Sequence, residues 1–393
     1  MGGALSWPFI RLYGLTLLYF SANAVLNVTI PLRSEALGAS NTAVGVVMGA
    51  YLFATMLFRP WAGRWIQKYG PARVLRAIVL LNGVALVIYT FSGLEGYFVA
   101  RVLQGVCTAF FSMALQLGMI DALPDKDRAQ GISMYSLCSY LPSIFGPLLA
   151  LGMWQSGSAG LFAAVMLAIA IGTGIAGFGA KIGANAGEAV APEPSERPSM
   201  AKSFGELFRN AELRRCSLVM TAASIGFGAA TTFVPLYAEQ VRFGNAGVYL
   251  MIQAGVVVLS RFALRKRIPS DGRWHNAFVT GLLLLAAAAA LGVSSSAALG
   301  AVFFYGGAAL MGVAQALLYP TLATYLSFAL PERNRNVLIG LFIATADLGV
   351  SLGGILMGPV SDLTSYSFMY GMCALLAALA IGAAYRRPRT SAR

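Results

Sequence analysis

The sequence of 393 residues is 58% hydrophobic and only 11% charged, against about 25% charged in ordinary globular chains, which excludes a soluble globular protein. Its net charge of +13 would suggest nucleic acid as a partner in a water-soluble chain, but here Lys and Arg gather in short loops between apolar runs, where they set orientation. No Walker loop, dinucleotide fingerprint or triad pattern occurs, and His275 is the sole histidine. ATP-driven work, enzymatic chemistry, a cofactor and a protein-built metal site are therefore not expected.

A bilayer-spanning helix needs about 20 apolar residues. Twelve such runs are predicted, at roughly 9–32, 42–65, 72–92, 96–121, 129–155, 159–181, 214–238, 244–266, 275–293, 298–328, 335–360 and 365–385. The fold class is an all-α membrane protein. Residues 184–203 are rich in Pro, Ala, Ser and charge and read as a linker, followed by a short segment at 204–210 suited to the membrane surface. The expected organisation is a six-helix half over 1–183, a cytoplasmic linker over 184–211 and a second six-helix half over 212–393. Basic residues crowd the loops on one side, from Arg64, Lys68, Arg73 and Arg76 to Arg386 and Arg387, while the opposite loops hold only Arg33 and Arg242. That asymmetry predicts both termini in the cytoplasm.

The two halves repeat one another. A shift of 207 residues lays Gly105 on Gly312, Ala122-Leu123-Pro124 on Ala329-Leu330-Pro331, Arg128 on Arg335 and Gly146 on Gly353. A shift of 202 lays Tyr51 on Gln253, Arg59 on Arg261 and Gly70 on Gly272, and one of 204 lays Pro31-Leu32 on Pro235-Leu236. Two pseudo-symmetric halves joined by a linker are the plan of a secondary transporter with alternating access.

Local motifs carry a resemblance. Gly63 to Gly70, with Lys68 and Arg73, resembles the signature loop of the major facilitator superfamily, with Gln67 where that loop has an acid. Arg101-Val-Leu-Gln104-Gly105 resembles the fourth-span motif of its drug:proton antiporter branch, and Gly146-Pro147 resembles the fifth-span antiporter motif and predicts a bend there. The runs Ser6-Trp-Pro-Phe9, Phe20-Ser-Ala-Asn23-Ala, Phe58-Arg-Pro-Trp-Ala-Gly63, Gln104 to Ser112, Ile268-Pro-Ser-Asp-Gly272 and Ala346-Asp-Leu-Gly349 are similar to staphylopine-type metallophore exporters over almost all of the chain. The resemblance implies proton-coupled efflux of a nicotianamine-like opine, released metal-free, from a bacterial cytoplasmic membrane. Its rival is a broad multidrug:proton antiporter. The expected partners are the metallophore, protons and lipid, and the expected state is a monomer.

Charges within the bilayer are costly and usually functional. Arg59 and Arg261 are repeat-related forks suited to two-point binding of carboxylates, or alternatively snorkel to the surface or gate the cytoplasmic side. Arg101 either bonds neighbouring helices or lowers the pKa of a coupling carboxylate. Asp347 is the expected proton carrier, with an amine-binding or helix-linking role as alternatives. Asn23 and Asn27 share one face of span one with Tyr19 and are expected to bind substrate. With spans one, four, seven and ten lining the cavity, as the resemblance implies, Gln104, Thr108, Gln315 and Tyr319 face substrate, and Gln253 joins them from span eight.

Overall fold

A computed structural model describes residues 5–180, 209–269, 271–331 and 335–385, with 3 and 205. Among the described residues no strand occurs, and twelve helices are long and apolar enough to cross a membrane. Hydrocarbon offers backbone groups no water, so each apolar run satisfies its own hydrogen-bond ladder. The spans are Trp7–Ala36, Asn41–Tyr69, Pro71–Phe91, Leu94–Met119, Gln130–Gln155, Ala159–Phe178, Ala211–Gln240, Ala246–Ala263, Asn276–Leu299, Ala301–Ala329, Val337–Leu363 and Tyr366–Ala384. Side-chain caps begin several of them: Ser40 accepts from the Ala43 N–H, Ser158 from Leu161, Asn210 from Leu213 and Ser365 from Phe368.

The described residues form two compact units. One is Met1–Ser195 with Asn245–Met251, and the other is Glu196–Gly244 with Ile252–Arg393. The linker at 184–203 lies outside the described residues, as does most of the surface segment after it. Within the first unit, span two packs on span four, three on four and six, and one on five. Within the second, seven packs on eleven, and nine on ten and twelve, so most pairings recur.

The repeat extends to backbone conformation. Gly70 has φ +81° and its counterpart Gly272 has φ +69°, a region that costs an L side chain but not glycine. Gly105 and Gly312 mark matching close crossings. A Cβ on Gly105 would overlap the Tyr51 carbonyl oxygen and stand 2.9 Å from the Ala54 Cβ; one on Gly312 would stand 2.7 Å from the Gln253 carbonyl oxygen and 2.9 Å from the Val256 Cβ. Tyr51 and Ala54 are the repeat partners of Gln253 and Val256, so one helix crossing has been built twice.

The fifth span is made of two helices. It is divided at Leu141–Pro142, between helices Asp125–Tyr140 and Pro142–Gln155, ahead of the Gly146-Pro147 pair. Pro142 has no N–H to continue the ladder and opens the second helix, where none is needed. Pro147 lies inside that helix. Gly146 instead admits Ala24 of span one, whose side chain a Cβ at 146 would meet at 2.5 Å.

Candidate functional site

Span one turns a polar edge toward span four. Asn23 and Asn27 lie one turn apart on the same helix face, and both accept hydrogen bonds from Arg101. Nη1 donates to the Asn23 Oδ1 at 3.1 Å and Nη2 to the Asn27 Oδ1 at 3.2 Å. Nη2 also lies 3.1 Å from the Met48 sulfur, and the guanidinium carbon is 5.6 Å from the centre of the Tyr51 ring. Arg101 has 0% exposure. Its Nε meets no acceptor, and no carboxylate among the described residues pairs with it. A buried cation held only by amides, a thioether and a ring face is costly, and it leaves a standing positive field inside the first half.

One to two turns further along span four, the same face is finished by hydroxyls. Thr108 Oγ1 lies 3.0 Å from the Tyr19 hydroxyl and accepts from the Tyr51 hydroxyl at 3.1 Å. The Tyr19 ring stacks on Phe111 with centroids 3.8 Å apart. Gln104 accepts from the Tyr89 hydroxyl at 2.9 Å and is 1% exposed. The structure therefore brings Asn23, Asn27, Arg101 and Thr108 into one cluster and gives Gln104 to span three. Tyr89 and Met48 were missed in the sequence. Both sit in apolar surroundings, and only Tyr89's hydroxyl hints at a polar partner.

The second half holds the repeat image. Gln253 Nε2 donates to the Gln315 Oε1 at 3.1 Å, and these residues align with Tyr51 and Thr108. Tyr319 stacks on Phe342 of span eleven, centroids 5.8 Å apart. Asp347 is half-buried on span eleven, two residues before Gly349, where a Cβ would press on the Thr221 and Ser224 region of span seven. Arg261 stands in the last turn of its helix, whereas Arg59 lies more than two turns inside a helix that continues to Tyr69. Substituting Leu at Gln253 and Gln315, singly and together, should give a coupling of about 0.6 kcal/mol when unfolding midpoints in detergent are compared. Strict additivity would show that the bond contributes nothing to stability.

A further polar group was not foreseen. Tyr325 donates to the Glu212 Oε2 at 2.8 Å, Arg215 pairs with the same oxygen at 3.3 Å, and the Arg215 guanidinium lies 5.9 Å from the Trp274 ring. The i, i+3 spacing of Glu212 and Arg215 in the first turn of span seven was its one visible signal. Nearby, His275 bonds Asp271 at 2.9 Å, and that bond, with the Arg273 N–H, holds the Asp271 carboxyl below its ordinary pKa.

Residues 12–297 match the family model of the Major Facilitator Superfamily. The chain belongs to that superfamily. Among its relatives there, a staphylopine export protein of Staphylococcus aureus (strain Mu50 / ATCC 700699) is 51% identical over 381 residues, covering 96% of this chain and 95% of that one. An uncharacterized transporter of the superfamily from Burkholderia mallei (strain SAVP1) is 24% identical, over 88% of this chain and 83% of its own. A crystal structure of the nucleoside transporter NupG aligns with TM-score 0.75 at 12% identity, covering 96% of this chain and 100% of that one. A bacterial homolog of the human lysosomal transporter Spinster, inward-facing and unoccupied, aligns with TM-score 0.71 at 14% identity, covering 96% and 94%. At these identities the solved structures speak to the fold alone. The superfamily member described here is a multi-pass membrane transporter and not an enzyme.

Proposed function

We propose that this protein exports an opine-type metallophore of the staphylopine kind, metal-free, from the cytoplasm in exchange for protons, by alternating access of its two halves. The observation that carries this reading is the 51% identity to a staphylopine export protein, which extends over 96% of this chain. Such a substrate bears several carboxylates and amines. Arg59 and Arg261, one per half, are the forks for its carboxylates. Gln253, Gln315 and Tyr319 supply neutral donors and acceptors from the second half and Thr108 from the first, while Gln104, expected at the substrate, is taken up by Tyr89 of span three. Asn23 and Asn27 act through the guanidinium they hold. Asp347 carries the proton, and Arg101 favours the ionised state of the coupling carboxylate, so that proton release accompanies substrate loading. Both termini face the cytoplasm in this scheme, and a single chain suffices.

The test is deletion of the gene in a host that makes the metallophore, followed by measurement of metallophore inside and outside the cell. Extracellular metallophore should fall and the cytoplasmic pool should rise. Arg59→Ala and Arg261→Ala should each lower export by about tenfold or more, the worth of a charge-assisted bidentate contact. An unchanged extracellular pool after deletion would overturn the reading, and energy-dependent extrusion of cationic dyes would favour the multidrug alternative.

A further inference from the structure

At the end of span one remote from the Arg-rich loops, Arg33 borders a cavity of about 320 Å³ lined by Thr29, Met153, Trp154, Gly157, Ser158 and Phe162. Its guanidinium lies 4.4 Å from the centre of the Phe162 ring, which fixes one face of the fork. Nη1 is buried and has no hydrogen-bond partner. Glu35 is exposed and two residues further on, so it does not share the face of Arg33. A desolvated guanidinium nitrogen without an acceptor, beside an open space, is a costly arrangement for a chain to keep.

The internal repeat sharpens the point. Shifted by 204, Arg33 falls on Tyr237. In the second half that position is fully used. The Tyr237 hydroxyl lies 3.2 Å from both Ser296 and Ser367, and its ring packs on Tyr366 and Tyr370, each at 5.8 Å between centroids. Both residues meet the start of the last span of their half, Phe162 in one and Tyr366 in the other. One copy of the fold has filled and satisfied this place with a tyrosine. The other has put a cation there and left room.

We propose that this cavity is an oxyanion site, in which the Arg33 fork takes a phosphate or carboxylate group with Trp154 and Phe162 as its apolar walls. Two sources offer that chemistry: the headgroup phosphate of an anionic phospholipid, or a carboxylate of a small soluble polyanion. Leu149 and Leu161, close in sequence to the lining, are 64% and 43% exposed and would accompany an acyl chain. Trp residues are favoured at the depth of lipid headgroups.

The full chain is released from mixed phosphatidylglycerol and phosphatidylcholine micelles, and retained lipid is counted by native mass spectrometry. In parallel, citrate is titrated while Trp154 fluorescence is followed, with Trp154→Phe as the assignment control. Selective retention of phosphatidylglycerol, weakened about tenfold in Arg33→Gln and less in Arg33→Lys, assigns the site to lipid phosphate. A citrate response that needs Arg33, without lipid selectivity, assigns it to a soluble carboxylate. Absence of both in the wild-type chain, or binding unchanged in Arg33→Gln, overturns the proposal. Because the wild-type chain alone can fail the test, misfolding of a variant does not shelter it.

Discussion

Arg101→Gln should abolish gradient-driven export while leaving the fold close to its original stability. Ordinarily a buried residue with three polar neighbours is a stability determinant, and its loss costs several kcal/mol. Arg101 is different because its partners are neutral: Asn23, Asn27 and the Met48 sulfur. No counter-ion among the described residues repays the desolvation of the charge. Glutamine removes that cost and can still donate to an asparagine carbonyl. The unfolding midpoint should therefore move little, or rise. Under the coupling role proposed above, removing the positive charge takes away the field that favours an ionised coupling carboxylate, so transport driven by an imposed pH gradient in proteoliposomes should fall about a hundredfold. Arg101→Lys keeps the charge but not the two-pronged contact to span one, and should retain gradient dependence at a reduced rate. Export by Arg101→Gln at the original rate, still responsive to the gradient, would remove Arg101 from coupling. A large loss of stability instead would make it a helix link.

Much of this was legible in the residues, for reasons that differ from case to case. The spans follow from run length and hydropathy, because a helix in hydrocarbon has no other way to satisfy its backbone. The repeat register gave more than topology. It aligned Tyr51 with Gln253 and Thr108 with Gln315, and each half joins its pair by a hydrogen bond. It also aligned Gly70 with Gly272, both with positive φ. The four-residue spacing of Tyr19, Asn23 and Asn27 showed a shared face, but spacing does not name the neighbour, and all three turned out to meet span four. The division of the fifth span at Pro142 was not read from the sequence. A proline in the sequence does not say whether its helix stops before it or bends through it. Arg33 was counted only as a loop charge. The cavity beside it is a property of packing between spans one, five and six, which no periodicity encodes.

Gly105→Ala should be a severely damaging single-methyl change at the crossing of spans two and four. The added Cβ would overlap the Tyr51 carbonyl oxygen and crowd the Ala54 Cβ at 2.9 Å. The first of these is backbone, which cannot rotate aside, so spans two and four must separate. Separation also strains the bonds that cross there, from the Thr55 hydroxyl to the Gly105 carbonyl at 3.0 Å and from the Tyr51 hydroxyl to Thr108 at 3.1 Å. Overpacking of a close contact costs about 1–3 kcal/mol and sometimes more, and here lost hydrogen bonds add to it. Gly312→Ala tests the same crossing in the second half, where the nearest backbone atom stands at 2.7 Å. Its cost should be of the same kind but smaller. Gly63→Ala is the control, since a Cβ there meets nothing within 4 Å. In mid-helix, alanine should be neutral or stabilise by up to about 1 kcal/mol. Unfolding midpoints of the three variants in one detergent should therefore rank Gly63→Ala highest and Gly105→Ala lowest. Equal midpoints for Gly105→Ala and Gly63→Ala would mean that spans two and four are not held at this distance. The matched crossings in the two halves would then be a coincidence of sequence and not a shared structural constraint.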